Sequence, residues 1–142
     1  MHDDNLRRYA AFFEDLNADK LAMLARVMTE DIHFADPFND VRGLAAVEKI
    51  FQHMFDSLQD PRFTVSHIAM SEDPEPLGFL RWELDCSARG RPYRIIGMSE
   101  VTFAKDGRVN QHIDHWDAAQ QFYEHLPLIG GLLRIIRSQL KV

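Results

Sequence analysis

Residues 95–117 read IIGMSEVTFAKDGRVNQHIDHWD, two strand-like runs on either side of Asp106-Gly107. Asp-Gly between such runs is typical of a two-residue β-hairpin turn. Counting back from that turn pairs Ser99 with Asp114, two residues beyond His112. Because paired residues share a face of a sheet, this stretch predicts an apolar wall that also carries an imidazole and a carboxylate.

A second hairpin extends the wall. Arg89-Gly90 reads as another two-residue turn, which pairs Trp82 with Gly97. Alternation along the strand then places Arg81 and Glu83 on the opposite, outer face. They would face inward only if that turn had one residue more or fewer.

The rest of the chain supplies helices before the strands and a helical tail. The predicted elements are helices at about 5–16, 18–28 and 44–58, a short strand around 32–36 followed by a loop to 43, strands at about 63–70, 77–88, 91–104 and 108–117, and a tail helix at about 118–140 interrupted at Pro127 and at Gly130-Gly131. Helices followed by an antiparallel meander predict an α+β fold. We expect one domain over residues 1–142.

Composition narrows the class of ligand and the compartment. The chain has 142 residues, 46% of them hydrophobic, and a net charge of −6 with 16 scattered Lys and Arg. This length and hydrophobic content are enough to bury a core around a cavity. The negative net charge and the scattered basic residues argue against a nucleic-acid partner. A single cysteine, an amino terminus without signal-peptide features and the lack of an apolar run of ~20 residues predict a cytoplasmic protein with no membrane span.

Asp36 is the first candidate catalytic residue. It lies in His33-Phe34-Ala35-Asp36-Pro37-Phe38, among aromatic and apolar neighbours. A carboxylate in such surroundings can act as a general base near neutral pH. Asp-Pro also often begins a turn, so Asp36 as a turn residue is the alternative.

His112 and Asp114 are the second candidates. An unpaired charge on an apolar wall costs several kcal/mol, which favours a ligand cavity at this point. The alternative is a buried pair with a structural role. The run from His112 to Asp117 looks like a metal-binding cluster, but alternation brings at most two of its ligands to one face unless Asp36 joins them, so we expect no metal.

Several motifs together resemble the nuclear transport factor 2-like superfamily. They are Leu16-Asn17-Ala18-Asp19-Lys20-Leu21, Asp31 to Pro37, Arg42-Gly43 before a helix, and Asp106-Gly107-Arg108 leading to Trp116-Asp117. The resemblance implies a cone-shaped, curved antiparallel sheet packed on N-terminal helices, with an internal pocket and a C-terminal closing helix. It also implies activities of the ketosteroid isomerase, SnoaL-like polyketide cyclase or limonene epoxide hydrolase type.

Each enzyme branch matches a different set of residues. Against ketosteroid isomerases, Asp36 matches the base, but the two oxyanion donors fall on Phe12, one turn from Tyr9, and on Ser99. Against limonene epoxide hydrolases, Asp114 falls on the water-activating aspartate. Arg81 and Glu83 would match that family's Arg and acid pair, and Asp114 with His112 resembles the acid and histidine of the SnoaL-like cyclases.

We therefore predict a pocket enzyme without metal or cofactor that acts on a small apolar molecule by general acid–base catalysis. Asp36 and Asp114 would be the bases, and His112 an orienting or acid partner. The predicted substrate-binding residues are Tyr9, Phe12, Phe34, Phe51, Met54, Phe55, Trp82, Leu84, Tyr93, Ser99, Val101 and Trp116. The alternative is a non-catalytic ligand-binding or dimerisation module of the same fold.

Two surfaces predict contacts outside the domain. Ile96, Met98 and Ile113 interrupt a charged outer sheet face, which favours a homodimer. The tail helix carries a series of apolar residues with basic residues among them. Such a helix closes a cavity, packs on a second subunit, or touches a membrane surface.

Overall fold

The computed structural model describes residues 1–121 and 129–141. The elements in chain order are α1 (His2–Glu14), a 3₁₀ helix (Ala18–Arg26), β1 (Met28–Ala35), β2 (Asp40–Arg42), α2 (Leu44–Ser57), β3 (Gln59–Ser71), β4 (Leu77–Ala88), β5 (Arg91–Phe103), β6 (Val109–His115), α3 (Ala118–Gln121) and α4 (Ile129–Leu140). The predicted helix break at Pro127 lies outside the described residues. The predicted break at Gly130-Gly131 is wrong, because α4 runs through both glycines, whose helix-weakening effect is only about 1 kcal/mol each.

The strands form one six-stranded sheet in the order β2-β1-β6-β5-β4-β3. Neighbours are antiparallel except β1 and β6, which run parallel. The sheet is curled and unclosed, with helices packed on it, so the predicted α+β class is confirmed. Since parallel strands end at the same edge, the residues that follow β1 and β6 lie close together.

The predicted register of β4 and β5 is confirmed. Trp82 pairs with Gly97, and the ladder continues to the last pair before Arg89 and Gly90. Both turn residues have positive φ, 51° and 76°, as a two-residue type I′ turn requires. Arg81 and Glu83 consequently lie opposite the buried face, as the two-residue turn predicts, with 3.7 Å between Arg81 Nη1 and Glu83 Oε1.

The β5–β6 turn differs from the prediction, although the register beyond it does not. Ala104 N donates to the Arg108 carbonyl at 2.8 Å, so the loop has three residues, 105–107, instead of two. Gly107, at φ +87°, makes this turn possible. A β-bulge leaves Asn110 unpaired and so compensates for the extra loop residue. Ser99 therefore pairs with Asp114 as predicted. The ladder ends at Met98 and His115, one pair before the predicted end.

The core lies between the sheet and the N-terminal helices. In α1, Leu6, Tyr9, Ala10 and Phe13 are buried at helical spacing. They pack in one cluster with α2 and with inward residues of β4, β5 and β6. Full burial of each large apolar side chain contributes about 1.5–3 kcal/mol.

Two local predictions near the amino terminus need correction. The predicted loop before Gly43 contains the three-residue strand β2, which pairs with the end of β1. A strand so short has no periodic signal in the sequence. The second predicted helix is a 3₁₀ helix, which begins where the Asn17 side chain accepts from the backbone N–H of Asp19 at 3.0 Å.

The outer face and the tail leave apolar residues exposed. On the outer face Ile96 is 40% and Met98 47% exposed, while Ile113 is half-buried, and dimerisation through this face stays a prediction. Among the side chains that the structure describes, none from α4 lines the cleft described below, and closure of a cavity by α4 stays a prediction. No helix in residues 1–121 or 129–141 is long and apolar enough to cross a membrane.

Gly97→Ala tests how tightly the wall is packed. A Cβ at Gly97 would lie 2.5 Å from Cζ2 and 2.6 Å from Cη2 of Trp82, so the indole must move. We expect the free energy of unfolding to fall by about 1–3 kcal/mol, with a changed tryptophan fluorescence spectrum. Met98→Ala, one residue away on the exposed face, should cost less than about 0.5 kcal/mol. Equal losses in urea unfolding would contradict the close packing at Gly97.

Candidate functional site

A chain of hydrogen bonds crosses the buried side of the wall. The Tyr9 hydroxyl lies 2.7 Å from His112 Nδ1, and His112 Nε2 lies 2.6 Å from Asp114 Oδ1. Ser99 Oγ donates to the same Oδ1 at 2.5 Å, and Trp82 Nε1 donates to Ser99 Oγ at 2.8 Å. Five side chains from α1, β4, β5 and β6 therefore form one connected network.

The hydrogen-bond partners restrict where the protons of the network lie. Trp82 Nε1–H can only donate, so Ser99 uses its own proton toward Asp114. The Tyr9 hydroxyl has His112 Nδ1 as its hydrogen-bond partner. If Tyr9 donates to Nδ1, the imidazole proton lies on Nε2 and points at Asp114. His112 is then a neutral donor with both ring nitrogens engaged.

Tyr9 is suited to be the proton donor at the inner end. The residue is 1% exposed. Burial raises the pKa of its phenol well above the usual 10.0, and the negative charge of Asp114 raises it further. The hydroxyl therefore keeps its proton at physiological pH.

Aromatic rings enclose His112. The ring of Phe34 stacks on the imidazole at 4.8 Å between centroids and 25° between planes, and Phe13 lies at 5.9 Å. Phe34 is also the residue of β1 that pairs with His112 in the parallel ladder. This apolar enclosure leaves the imidazole 4% exposed and makes its two hydrogen bonds necessary.

Asp114 is the end of the network that meets solvent. Its side chain is 16% exposed, against 5% for His112. Both hydrogen bonds to the carboxylate fall on Oδ1. Within residues 1–121 and 129–141, Oδ2 has no hydrogen-bond partner, so it remains able to accept a proton.

Asp36 has the contacts of a turn aspartate. Its Oδ1 accepts from the backbone N–H groups of Phe38 and Asn39, each at 2.7 Å. The Asn39 amide also donates to Oδ1 at 3.1 Å and to Oδ2 at 3.2 Å. The turn interpretation of this residue is therefore confirmed, and a catalytic role stays a prediction.

An open cleft of about 540 Å³ lies at the carboxyl ends of β1 and β6. Its lining residues are Ala35, Asp36, Pro37, Ile113, Asp114, His115 and Trp116. Both predicted bases thus line the same cleft. The Trp116 ring packs edge-on against Phe38 at 5.5 Å between centroids, at one side of this cleft. Among the described residues, this lining contains two carboxylates and no lysine or arginine.

The predicted substrate-binding residues lie in three places. Trp116 lines the cleft. The buried ones are Tyr9, Phe34, Phe51, Trp82, Leu84, Ser99 and Val101. Phe12, Met54 and Phe55 pack partly buried against that core, and Tyr93 lines a different cleft. Most of the predicted lining is thus part of the core. The Trp82 ring packs directly on Gly97, on the inner face of the sheet.

The second cleft is larger, about 890 Å³, but lies away from the network. Arg91, Pro92, Tyr93, Arg94, Ile96, Gln120 and Gln121 line it. Here the Gln121 side chain accepts from Ile96 N at 2.7 Å and donates to Ile96 O at 3.1 Å. The amide thus occupies the backbone groups of β5 beyond the last β6 pair, which fixes α3 to the sheet edge.

The single cysteine and the run from His112 to Asp117 are the two remaining sequence features. Cys86 is buried on the wall, where burial and the neighbouring Asp85 raise the pKa of its thiol, so it is a poor nucleophile. In the part of the chain that the structure describes, no three His, Cys, Asp or Glu side chains come together in a metal-binding group.

Sequence reasoning did not predict the contact between Tyr9 and His112. The two residues are 103 positions apart, so no local pattern joins them. One signal was available, because a tyrosine on the apolar face of a helix needs a hydrogen-bond partner when it is buried. Trp82 on the sheet wall gives the same signal, since a buried indole N–H also needs a partner, and that partner is Ser99.

The model of the SnoaL-like domain family matches residues 9–112. The chain belongs to this family. Its matched region contains Tyr9, Trp82, Ser99 and His112 of the network, and Asp114 follows two residues later. No curated protein matches the chain.

Solved structures share the fold at low sequence identity. An NTF2-like protein of unknown function from Exiguobacterium is 18% identical with a TM-score of 0.69, covering 80% of this chain and 98% of its own. A protein from Jannaschia, provisionally classed as a SnoaL-like polyketide cyclase, is 13% identical with a TM-score of 0.70, covering 84% and 87%. An LEH-like epoxide hydrolase from M. tuberculosis is 14% identical with a TM-score of 0.68, covering 97% and 96%. These likenesses show the NTF2-like fold, in which cyclases, isomerases and epoxide hydrolases occur.

The buried Tyr9 phenol should make the free energy of unfolding decline at alkaline pH. Above pH 10.0 the unfolded chain loses the Tyr9 proton while the folded chain keeps it, because the folded pKa is raised. The unfolded state then binds fewer protons, so the free energy of unfolding falls as the pH rises. We expect Tyr9→Phe to flatten this alkaline decline in urea unfolding measured between neutral pH and pH 11, a range of about four units. A decline of unchanged slope in Tyr9→Phe would contradict the burial of an un-ionised phenol.

Proposed function

We propose that this protein is a cofactor-independent enzyme in which Asp114 acts as a general base on a small apolar molecule bound in the cleft. The observation that supports this most is the division of labour between the two carboxylate oxygens. Oδ1 accepts from His112 and Ser99, whereas Oδ2 has no partner among the described residues and belongs to a side chain that lines the cleft. A substrate C–H group or a water molecule within about 3 Å of Oδ2 could lose its proton there.

The network prepares Asp114 for this role. Two donors on one oxygen hold the carboxylate in a single orientation, and each donor is held in turn, His112 by Tyr9 and Ser99 by Trp82. A general base held in this way needs no reorganisation when the substrate binds. In this proposal His112 orients Asp114 and does not itself exchange protons with substrate, because both ring nitrogens are engaged.

Asp36 would be the second carboxylate of the cleft, with an orienting role. Its oxygens already accept from Phe38 and Asn39, so it is a weaker candidate for proton abstraction than Asp114. It can still orient a water molecule or a hydroxyl group of the ligand through Oδ2, whose one hydrogen bond is 3.2 Å long. Its turn fixes the segment that forms one side of the cleft.

The lining favours a neutral or cationic ligand with an apolar body. Pro37, Ile113 and Trp116 offer apolar surface. The two carboxylates of the described lining, which has no lysine or arginine, disfavour an anionic substrate. Charge repulsion by Asp36 and Asp114 would act directly on such an anion.

Among the three reaction types, the geometry supports proton abstraction next to a carbonyl most. The Arg and acid pair expected of a limonene epoxide hydrolase falls on Arg81 and Glu83, which lie on the outer face. The oxyanion donors expected of a ketosteroid isomerase fall on Phe12 and on Ser99, whose hydroxyl is committed to Asp114. The acid and histidine of a SnoaL-like cyclase correspond to Asp114 and His112, which are hydrogen-bonded.

A non-catalytic binding module is the second candidate function. The observation that favours it is that the predicted lining residues Phe34, Leu84 and Val101 are buried in the core, so the cleft is an open groove at the sheet edge. Such a groove can hold a ligand without excluding water from it. Turnover distinguishes the two candidates, because both predict binding of a small apolar molecule.

The test is exchange of protons next to a carbonyl. In deuterated water, a panel of small apolar ketones and β-keto esters is followed by NMR for deuterium uptake at the α-carbon. We expect wild-type protein to catalyse uptake for at least one member, and Asp114→Asn to lower kcat/KM by about 10²–10⁴ because the base is lost. Asp36→Asn, which keeps an oxygen for the turn, should have a smaller effect.

Asp85→Asn is the matched control, since Asp85 lies on the outer face of β4 and pairs with Arg94 at 2.8 Å. It should leave kcat/KM unchanged. Saturable binding of the ketones without uptake, together with no hydrolysis of a parallel panel of apolar epoxides, would support the binding module instead. Uptake that is equal in wild-type protein and Asp114→Asn would remove Asp114 from the role of base.

A further inference from the structure

A carbonyl ligand in the cleft needs a hydrogen-bond donor for its oxygen. Asp36 and Asp114 are carboxylates, which accept when ionised and cannot donate to a carbonyl. The described lining residues without a polar side-chain group are Ala35, Pro37 and Ile113. Within the described lining, a side-chain donor must therefore come from His115 or Trp116.

The imidazole of His115 is engaged on the outer face of the sheet. Its Nε2 lies 3.3 Å from Glu100 Oε1, and the side chain is 62% exposed. Because side chains alternate along β6, His115 lies on the opposite face from Asp114. Trp116 is therefore the better placed of the two donors.

The indole N–H of Trp116 is uncommitted. The ring packs edge-on against Phe38, but Nε1 has no hydrogen-bond partner among the described residues. In that part of the chain, Thr29 Oγ1 is the one buried side-chain nitrogen or oxygen without a partner, so Nε1 of the half-buried Trp116 is accessible. An indole N–H can only donate, so Trp116 offers the cleft a free donor.

The positions of Trp116 and Asp114 suit one small ligand. Trp116 follows β6 directly and comes two residues after Asp114, and both side chains line the cleft. Residues two apart on one face of a strand are separated by about 7 Å. Since a hydrogen bond and a proton transfer each need about 3 Å, a ligand between them can present its carbonyl oxygen to Nε1 and the adjacent carbon to Oδ2.

We propose that Trp116 binds the carbonyl oxygen of the ligand through its indole N–H and stabilises the enolate that forms when Asp114 removes the α proton. The binding step needs only a carbonyl compound in the cleft. The stabilising step rests on the proposed function, because it requires Asp114 to act as the base.

The step conserves atoms and charge. The C–H bond breaks, its proton moves to Asp114 Oδ2, its electron pair forms the carbon–carbon double bond, and the carbonyl π pair moves onto oxygen. Asp114 becomes neutral as that oxygen becomes negative, while Trp116 keeps its own proton. A donor directed at the oxygen where charge develops lowers the barrier. The charge of Asp36 opposes an enolate, so loss of the donor should be costly.

The first experiment is nitrogen-15 NMR of the two indole N–H groups during titration with the ketone panel. Trp82 is 7% exposed and donates to Ser99, so its slowly exchanging signal is the internal control. We expect ketones to move the Trp116 signal saturably and to leave the Trp82 signal in place. Analogues in which a methylene group replaces the carbonyl should perturb backbone amides of the cleft without this shift.

The second experiment compares Trp116→Phe with Trp116→Leu in deuterium uptake. Phenylalanine keeps an aromatic ring against Phe38 and removes the N–H, whereas leucine removes both. We expect kcat to fall about 10²-fold in both variants, with a much smaller change in KM. Normal kcat in Trp116→Phe with a loss only in Trp116→Leu would assign the effect to the ring and overturn the stabilising step.

The two experiments separate failure of this inference from failure of the proposed function. Ketones that perturb cleft amides but move the Trp116 indole no more than their methylene analogues would overturn the inference. A ketone-specific indole shift without uptake would support the binding step and contradict the proposed enzyme. No perturbation of the cleft by any ketone would overturn the inference as well.

Discussion

The burial of one imidazole constrains this structure more than any other single feature. His112 projects from β6 into a space formed by Phe13 and Phe34, where it is 4% exposed. A polar ring in such a place costs free energy unless both nitrogens are hydrogen-bonded. Tyr9 satisfies one nitrogen and Asp114 the other, so α1 and β6 are joined by a polar contact through the middle of an apolar core.

The hydrogen bonds that satisfy His112 also prepare Asp114 for the proposed chemistry. Once His112 donates to Oδ1 of Asp114, and Ser99 donates to the same atom, the carboxylate has one oxygen facing inward and one without a partner among the described residues. The parallel pairing of β1 with β6 then brings the Asp36 turn to the same edge of the sheet, where the cleft lies. Stability and candidate function thus depend on the same four or five side chains. Removal of a buried partner such as Ser99 would affect both, at about 1–3 kcal/mol for the unsatisfied group.

The sequence predicted much of the sheet, because its turns carry local signals. Asp-Gly and Arg-Gly turns, together with alternation, were enough to place Ser99 opposite Asp114 and Trp82 opposite Gly97. The predicted register is correct although the predicted length of one turn is wrong, because the bulge at Asn110 compensates for the extra loop residue. The outward direction of Arg81 and Glu83 followed from the same register.

What the sequence did not predict depends on contacts between distant residues. The parallel pairing of β1 with β6 and the bond from Tyr9 to His112 both join the two ends of the chain, and neither leaves a periodic trace. Inward-facing positions such as Leu84 and Val101 were assigned to a pocket, although an inward face predicts a core equally well. Only packing in three dimensions separates residues that line a cavity from residues that fill it.

The central claim, that Tyr9 holds His112 as a neutral donor to Asp114, can be measured directly by nitrogen-15 NMR of the histidine rings at mildly alkaline pH. Asp114→Asn and Tyr9→Phe, each removing the partner of one ring nitrogen, would assign the signals. We expect His112 to carry its proton on Nε2, with Nδ1 unprotonated, and Tyr9→Phe to perturb the Nδ1 signal. A proton on Nδ1 in the wild-type protein would contradict this placement, because Tyr9 could then only accept from that nitrogen, and if Nε2 were unprotonated Asp114 would also lose the donor that orients it.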